Sequence, residues 1–376
     1  MGAKLTIEPR CRERLRPNGP ALRRVAGTAA DGADVRTLVI GLGRAGAELH
    51  LPVLAKARAA APGLFSAEPV VACDPRRVLA DRPGLVTTAT AAEAAKLLDP
   101  ARTAVHVCTP PTTRPEVIGE IAELGFRNLV VEKPLASDTD DLARIARLRR
   151  RHGLRIAVVE PWQMSSLTAR LTELVRGGEL GEARSVSIVQ NKPRFRRSLT
   201  APSHPTAFDV ELPHGVGLAL RLAGSARVTH AAGSDLAFGD VVVPRMGGAR
   251  LGLRHNSGVR AEISSDLTSP VRERRVTVEF ERGRAVGHYA VSGDDDHSQL
   301  TVTGHGRREH TVLRDDSLTE WVLRAYRLFR GTGDPHSQGF AFAGDVVRLL
   351  SVAKNISAEP VVPSARAESR TPTGAR

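Results

Sequence analysis

Thr37-Leu38-Val39-Ile40 running into Gly41-Leu42-Gly43-Arg44-Ala45-Gly46 is an apolar stretch that breaks into three glycines at fixed spacing. Its length and composition suit a buried strand, and a helical pattern follows it. In that strand-to-helix setting each glycine has a separate task. The first makes the tight turn, the second lets the backbone approach a pyrophosphate, and the third lets helix and strand pack closely. The phosphate would then lie at the helix N-terminus. A later apolar strand, Asn128-Leu129-Val130-Val131, delivers Glu132-Lys133-Pro134 to the same sheet edge. A phosphate-binding turn and a candidate proton carrier on one edge point to redox chemistry.

Outward from these segments, the chain alternates strand and helix. Strands are expected at Val35–Ile40, at Pro69–Cys73 ending on Asp74, at Ala104–Cys108 ending on Thr109-Pro110-Pro111, and at Arg155–Val159. The helix after the glycines runs through Glu48 and must adjust before Pro52. Pro115 suits a first helical turn, Val117, Ile121 and Leu124 form a stripe, and Gly125 stops that helix. Ser137 is the expected cap of a helix carrying Leu142, Ile145 and Leu148, with Gly153 as its end. Strands separated by helices imply a doubly wound parallel sheet in an α/β fold.

After Pro161 the pattern changes. A helix with Leu167, Leu171, Leu174 and Val175 ends at Gly177-Gly178. Alternating segments follow at Ser185–Val189, Arg227–Ala231, Val259–Ile263, Arg275–Phe280 and Gln299–Val302, joined by turns such as Ser292-Gly293-Asp294. They predict an open, mostly antiparallel sheet in an α+β domain. A helix opened by a Ser317/Glu320 capping box and a last one around Phe342–Ile356 complete the fold. The expected organisation is a flexible extension over 1–34, a dinucleotide-binding domain over 35–160, a substrate and oligomerisation domain over 161–358, and a flexible tail over 359–376.

The 376 residues suffice for two domains with their own cores. The formal charge is +13, yet the arginines are scattered and mixed with alanine and aspartate, without the motifs of a nucleic-acid binder. The sequence predicts no nucleic-acid partner; summed positive charge instead favours a small-molecule substrate that can be anionic. No run is apolar and long enough for a membrane span, and no secretory signal pattern opens the chain, so a cytoplasmic protein is expected. Three cysteines, Cys11, Cys73 and Cys108, are too few and scattered for a disulfide framework or zinc site, and no metal is expected. His106, in mid-strand, is expected to be a satisfied core residue.

Asp74 ends the strand after the glycine turn, where a carboxylate accepts hydrogen bonds from a ribose 2′-hydroxyl. It disfavours a 2′-phosphate, whereas Arg76 and Arg77 just beyond could receive one. NAD is the expected cofactor, with NADP as the alternative. Taken in order, Gly41-Leu42-Gly43-Arg44-Ala45-Gly46 with His50-Leu51-Pro52, Cys108-Thr109-Pro110-Pro111 and Glu132-Lys133-Pro134 resemble the Gfo/Idh/MocA oxidoreductases, whose namesakes include glucose–fructose oxidoreductase and inositol dehydrogenase. The resemblance runs from about residue 35 to residue 358 and is densest in the first domain. It implies a Rossmann domain whose cofactor touches Gly41, Leu42, Gly43, Arg44, Ala45, Gly46, Asp74, Thr109, Pro110, Glu132 and Lys133. It also implies a substrate between the domains, a cis peptide after the lysine, and homodimers or homotetramers formed through the C-terminal sheet.

Within that resemblance Lys133 is the catalytic proton carrier. A partly desolvated lysine beside a cationic ring would have its pKa lowered toward operating pH. His214 fits the family histidine in Asp209-Val210-Glu211-Leu212-Pro213-His214-Gly215-Val216-Gly217. Val210 and Gly217 stand where the family has aspartates, leaving Glu211, one helical turn before His214, to orient the imidazole. Arg114 replaces a frequent histidine after the Thr-Pro turn, and Glu160-Pro161-Trp162-Gln163 departs from the family's arginine motif. Arg114, Trp162 and Arg196 of the loop Lys192–Arg197 are therefore the candidate substrate contacts. The implied activity is hydride transfer at a secondary alcohol or ketone of a sugar, aminosugar or cyclitol. Alternatives are an imine or double-bond reductase of a biosynthetic pathway, and a non-catalytic dinucleotide- or sugar-binding regulator.

Overall fold

β1 (Arg36–Ile40), β2 (Val70–Cys73), β3 (Leu85–Thr88), β4 (Thr103–Val107), β5 (Asn128–Val131) and β6 (Arg155–Val158) form one sheet in the order β3-β2-β1-β4-β5-β6. Every pairing in it is parallel. Helices cover both faces, so its strands are near-continuous apolar runs such as the buried Leu129-Val130-Val131. The chain order reverses between β1 and β4, and the crevice at their C-terminal ends is where such sheets take ligands. The computed structural model describes residues 34–76, 79–80, 83–200, 204–292, 295–331 and 339–358. The expected terminal extensions, apart from Asp34, lie outside the described residues, as do Arg77 and Gly293-Asp294.

The helices of this half are α1 (Leu51–Ala60), α2 (Ala91–Ala95), α3 (Arg114–Glu123) and α4 (Thr139–His152). Before α1, Arg44–His50 forms a π-helical turn, and the Leu51 N–H reaches back to the Gly46 carbonyl. This wider turn is how the chain adjusts to Pro52, which lacks an N–H and sits in the first turn of α1. The α4 cap is Asp138 rather than the expected Ser137: its side chain accepts the N–H groups of Asp140 and Asp141, and Gly153 closes the helix in the left-handed region.

The second sheet holds β7 (Ala183–Asn191), β8 (Ala226–Phe238), β9 (Val241–His255), β10 (Arg260–Asp266), β11 (Glu273–Phe280), β12 (Gly283–His288), β13 (His297–Gly304) and β14 (Arg307–Arg314). Their order is β14-β13-β12-β11-β7-β10-β9-β8, antiparallel except for the β7–β10 pair. α5 (Ser166–Gly177) and α7 (Leu212–Ala223) supply buried leucines to its core, and the short α6 (Phe195–Thr200) follows β7. Gly215 lets α7 lie close to the sheet: a Cβ there would come within 2.7 Å of Ile263.

Two final helices join the halves. α8 (Ser317–Phe329) returns to the first sheet, where Trp321, Val322, Tyr326 and Phe329 share a core with Val39, Val53 and Leu54. Its cap falls one residue earlier than expected: Asp316 precedes the helix and Ser317 begins it, with the Glu320 N–H bonded to the Asp316 carbonyl. α9 (Phe340–Ala358) sends Ala343 and Val347 into the core around α4 and Val346, Leu350 and Ala353 into that of the second sheet.

Candidate active site

The glycine turn has the form a pyrophosphate requires. Gly41 has φ +90°, and a Cβ on Gly46 would lie 2.0 Å from the Gly41 carbonyl oxygen, so helix and strand can meet only with glycine there. A Cβ on Gly43 would meet nothing within 4 Å, which leaves that side of the turn open for close approach. Asp74 is buried at the end of β2; its Oδ2 accepts the Leu42 N–H at 2.9 Å and its Oδ1 the Arg76 N–H at 3.0 Å. Burial alone would raise the Asp74 carboxyl, but Arg76 and these backbone bonds hold it below the ordinary carboxylate range. At the end of β4, the buried Thr109 Oγ1 has no hydrogen-bond partner among the described residues. An open glycine turn, an ionised carboxylate and an orphaned hydroxyl along one edge fit a dinucleotide.

Lys133 follows β5 and is joined to Pro134 by a cis peptide. Its Nζ donates to the Val210 carbonyl at 2.5 Å, so the lysine crosses from the first half to the segment that opens α7. Burial, reinforced by Arg194 and Arg274, lowers its pKa, while Glu211 and Glu132 act in the other direction. Arg114 is buried behind this turn and donates to the Thr109 carbonyl at 2.7 Å and to the Pro134 carbonyl. It braces the β4 and β5 loops from inside, shaping the wall of the cleft.

His214 lies in the first turn of α7 and is stacked on Trp162, with ring centroids 5.5 Å apart; Trp162 stacks in turn on Tyr289 at 4.0 Å. Burial, then the nearby Lys133, Arg274 and Lys192 charges, hold the imidazole well below its ordinary pKa, so it is neutral. Glu211, at the helix N-cap, is paired with Lys192, and its Oε2 lies 3.4 Å from Gln190 Nε2. Burial opposes its ionisation, yet Lys192, Lys133, His214 and Arg274 together keep it far below the usual carboxylate range. It acts on His214 through its field, while its hydrogen bonds go elsewhere. Asp209, the other carboxylate of the segment, turns away to Lys354 of α9 at 2.9 Å and to Thr206.

Lys133 and His214 keep part of their surface open, whereas Glu132, Glu211 and Arg114 are buried around them. Arg194, Arg196 and Arg197, with Pro193, Phe195 and Thr200, line a cavity of about 350 Å³ beside this cluster. Arg44 of the glycine turn is near enough to Arg194 and Arg197 to depress both, after burial and other charges. The loop containing Arg196 thus lies within electrostatic reach of Arg44 in the glycine turn. Arg274 on β11 and Gln190 on β7 complete the surroundings; nothing local in the sequence singles them out, because strand pairing alone brings them there.

Residues 35–160 match the family described as an oxidoreductase family with an NAD-binding Rossmann fold, GFO_IDH_MocA. Similar solved structures cover 86% of this chain. One is KijD10, a 3-ketoreductase from Actinomadura kijaniata in complex with NADP and TDP-benzene, at 17% identity, 98% of its own length and a TM-score of 0.71. Another is the WlbA dehydrogenase from Bordetella pertussis with NADH and UDP-GlcNAcA, at 17% identity, 95% of its length and a TM-score of 0.67. An aldose–aldose oxidoreductase from Caulobacter crescentus matches at 16% identity, 98% of its length and a TM-score of 0.69. At these identities the likeness is one of fold. No curated protein sequence matches the chain. Among the described residues no helix is long and apolar enough to cross a membrane. The glycine turn, Asp74 and the Lys133 loop all lie inside the matched segment, so residues 35–160 are an NAD-binding Rossmann domain of the GFO_IDH_MocA oxidoreductase type.

Proposed function

We propose that the protein is a dehydrogenase or reductase acting at a secondary alcohol or ketone of an anionic sugar, aminosugar or cyclitol derivative. The observation that carries this reading is the meeting of Lys133 with the start of α7, which puts a proton-carrying amine beside a neutral histidine in a partly open cleft. When bound, the nicotinamide supplies or accepts the hydride. Lys133 then exchanges the accompanying proton with the substrate oxygen, a role that a pKa lowered by burial favours. His214, held flat against Trp162, is a second group able to hydrogen-bond the same oxygen. Arg196 and its neighbours face the end where an anionic substituent would lie.

NAD is the assigned cofactor, because Asp74 is held ionised at the ribose position. We also assign self-association to the C-terminal sheet, where Phe238, Val242 and Val312 are exposed. The decisive experiment follows NADH absorbance with a panel of sugars, cyclitols and nucleotide sugars. Lys133→Ala is expected to lower turnover about 10²- to 10⁴-fold while NADH binding, read by fluorescence, persists. Full turnover in that variant would overturn the proton role of Lys133.

A further inference from the structure

Behind the Lys133 turn runs a line of buried polar side chains that hydride and proton exchange do not use. Glu132 Oε1 is 2.8 Å from His50 Nε2, and His50 Nδ1 is 2.7 Å from His106 Nδ1. His106 Nε2 is 3.1 Å from the Tyr326 hydroxyl, which is 2.6 Å from Thr37 Oγ1. None of the five residues is more than 8% exposed. They come from the loop just after β5, the π-helical turn, β4, α8 and β1, so the line ties the helix after the glycine motif to the turn that carries the lysine.

The hydrogen bonds restrict where the protons sit. A carboxylate only accepts, so His50 Nε2 carries a hydrogen. One proton lies between the two facing Nδ1 atoms. If it belongs to His50, that ring is an imidazolium and His106 donates onward to Tyr326; if it belongs to His106, both rings are neutral and every later bond reverses. Burial alone would lower His50, but Cys108 and Glu132 beside it raise it to about 10. Burial, then the His50 charge, push His106 far down. These opposite shifts favour the first arrangement, in which a buried His50 imidazolium faces the Glu132 carboxylate and His106 is its neutral acceptor. The line ends on Thr37 in the core, so it holds a proton and offers no exit for one.

We propose that His50, His106 and Tyr326 are positioning residues for Lys133, fixing the Glu132 carboxylate and with it the strand end that carries the lysine. The inference rests on the reading of Lys133 as proton carrier. Glu132 Oε2 is 3.2 Å from the Lys133 backbone N–H, which it accepts, so its placement sets the turn. Its negative charge also favours protonated Lys133, and the His50 countercharge keeps that pull small. The ionisable groups around the pair are His106, Cys108, Arg114, Lys133 and Tyr326.

The test is the pH dependence of Lys133 acetylation by acetic anhydride in the full chain, read by peptide mass spectrometry with exposed Lys56 as the internal control. His106→Leu removes the acceptor of His50, favours the neutral ring and leaves Glu132 uncompensated. It is expected to raise the Lys133 midpoint by about one pH unit, slowing labelling about tenfold below the midpoint. His106→Asn, whose side-chain oxygen can stand in for Nδ1, restores the wild-type profile. Tyr326→Phe, which removes one oxygen and keeps the packing, shifts it less in the same direction and carries the test if His106→Leu does not fold. Wild-type profiles in the leucine and phenylalanine variants overturn the proposal, as does a shift that asparagine fails to reverse. Failure of the proton-carrier reading is separate: it shows as turnover surviving Lys133→Ala and leaves these labelling profiles as they are.

Discussion

Cys108 and the Glu132 carboxylate raise His50 against the cost of burial, and this has a thermodynamic signature. A histidine raised to about 10 in the fold stabilises it fully below its unfolded pKa of about 6.5, and the contribution fades as pH rises through 10. Burial lowers Lys192 to about 8 in the same molecule, and that group acts in the opposite direction over part of the range, so a single melting curve mixes the two. The clean measurement is a difference. The gap in Tm between wild type and His50→Gln is expected to be largest below about pH 6.5 and to close as pH rises to about 10. A gap that stays constant would mean that His50 is neutral in the folded chain. At this scale the sequence was readable where a residue type has one local job. Asp74 ends β2 and Lys133 ends β5, as their neighbours predict. Arg114, expected to touch substrate, instead braces two loops, because its partners are backbone carbonyls that no motif marks. The carboxylate beside His214 was legible as Glu211, but its pairing with Lys192 depends on a β7 neighbour that only tertiary structure supplies.

Among elements, the glycine turn permits the sharpest contrast between packing and binding. Gly46→Ala puts a methyl group onto the Gly41 carbonyl and is expected to cost about 1–3 kcal/mol of stability. NADH affinity should fall with it, since the helix start must shift. Gly43→Ala faces open space, so it is expected to leave stability within about 0.5 kcal/mol of wild type, yet to weaken NADH binding about tenfold by standing where phosphate approaches. Thermal melts paired with NADH fluorescence separate the two; equal effects on both readouts would refute the division. The parallel strands were legible because burial on both faces makes them apolar runs. Strands that lack that mark escaped notice. β3 is short and half threonine, β9 contains Pro244 and four glycines or alanines, and β14 is Arg307-Arg308-Glu309-His310 before it turns apolar. Each is placed by its sheet neighbours, and propensity alone does not find it.

For the whole molecule, the family match ends at residue 160, but the core of the first sheet does not. α8, which follows the entire second sheet in sequence, covers β1 and α1 with Trp321, Val322, Tyr326 and Phe329. Tyr326 also carries the buried polar line from Glu132 on to Thr37. A fragment spanning residues 34–165 is therefore expected to lack a cooperative thermal transition, whereas the full chain has one; a sharp melt of the fragment by calorimetry would refute this. Seen in terms of heredity rather than stability, the return of α8 makes the cofactor half a discontinuous gene segment. A crossover at the junction after residue 160 would pair a sheet with a foreign cover, so nucleotide-binding halves in this architecture cannot be traded as simple cassettes. Any successful exchange must carry both ends of the chain, and the second-sheet half is inherited as the insertion between them.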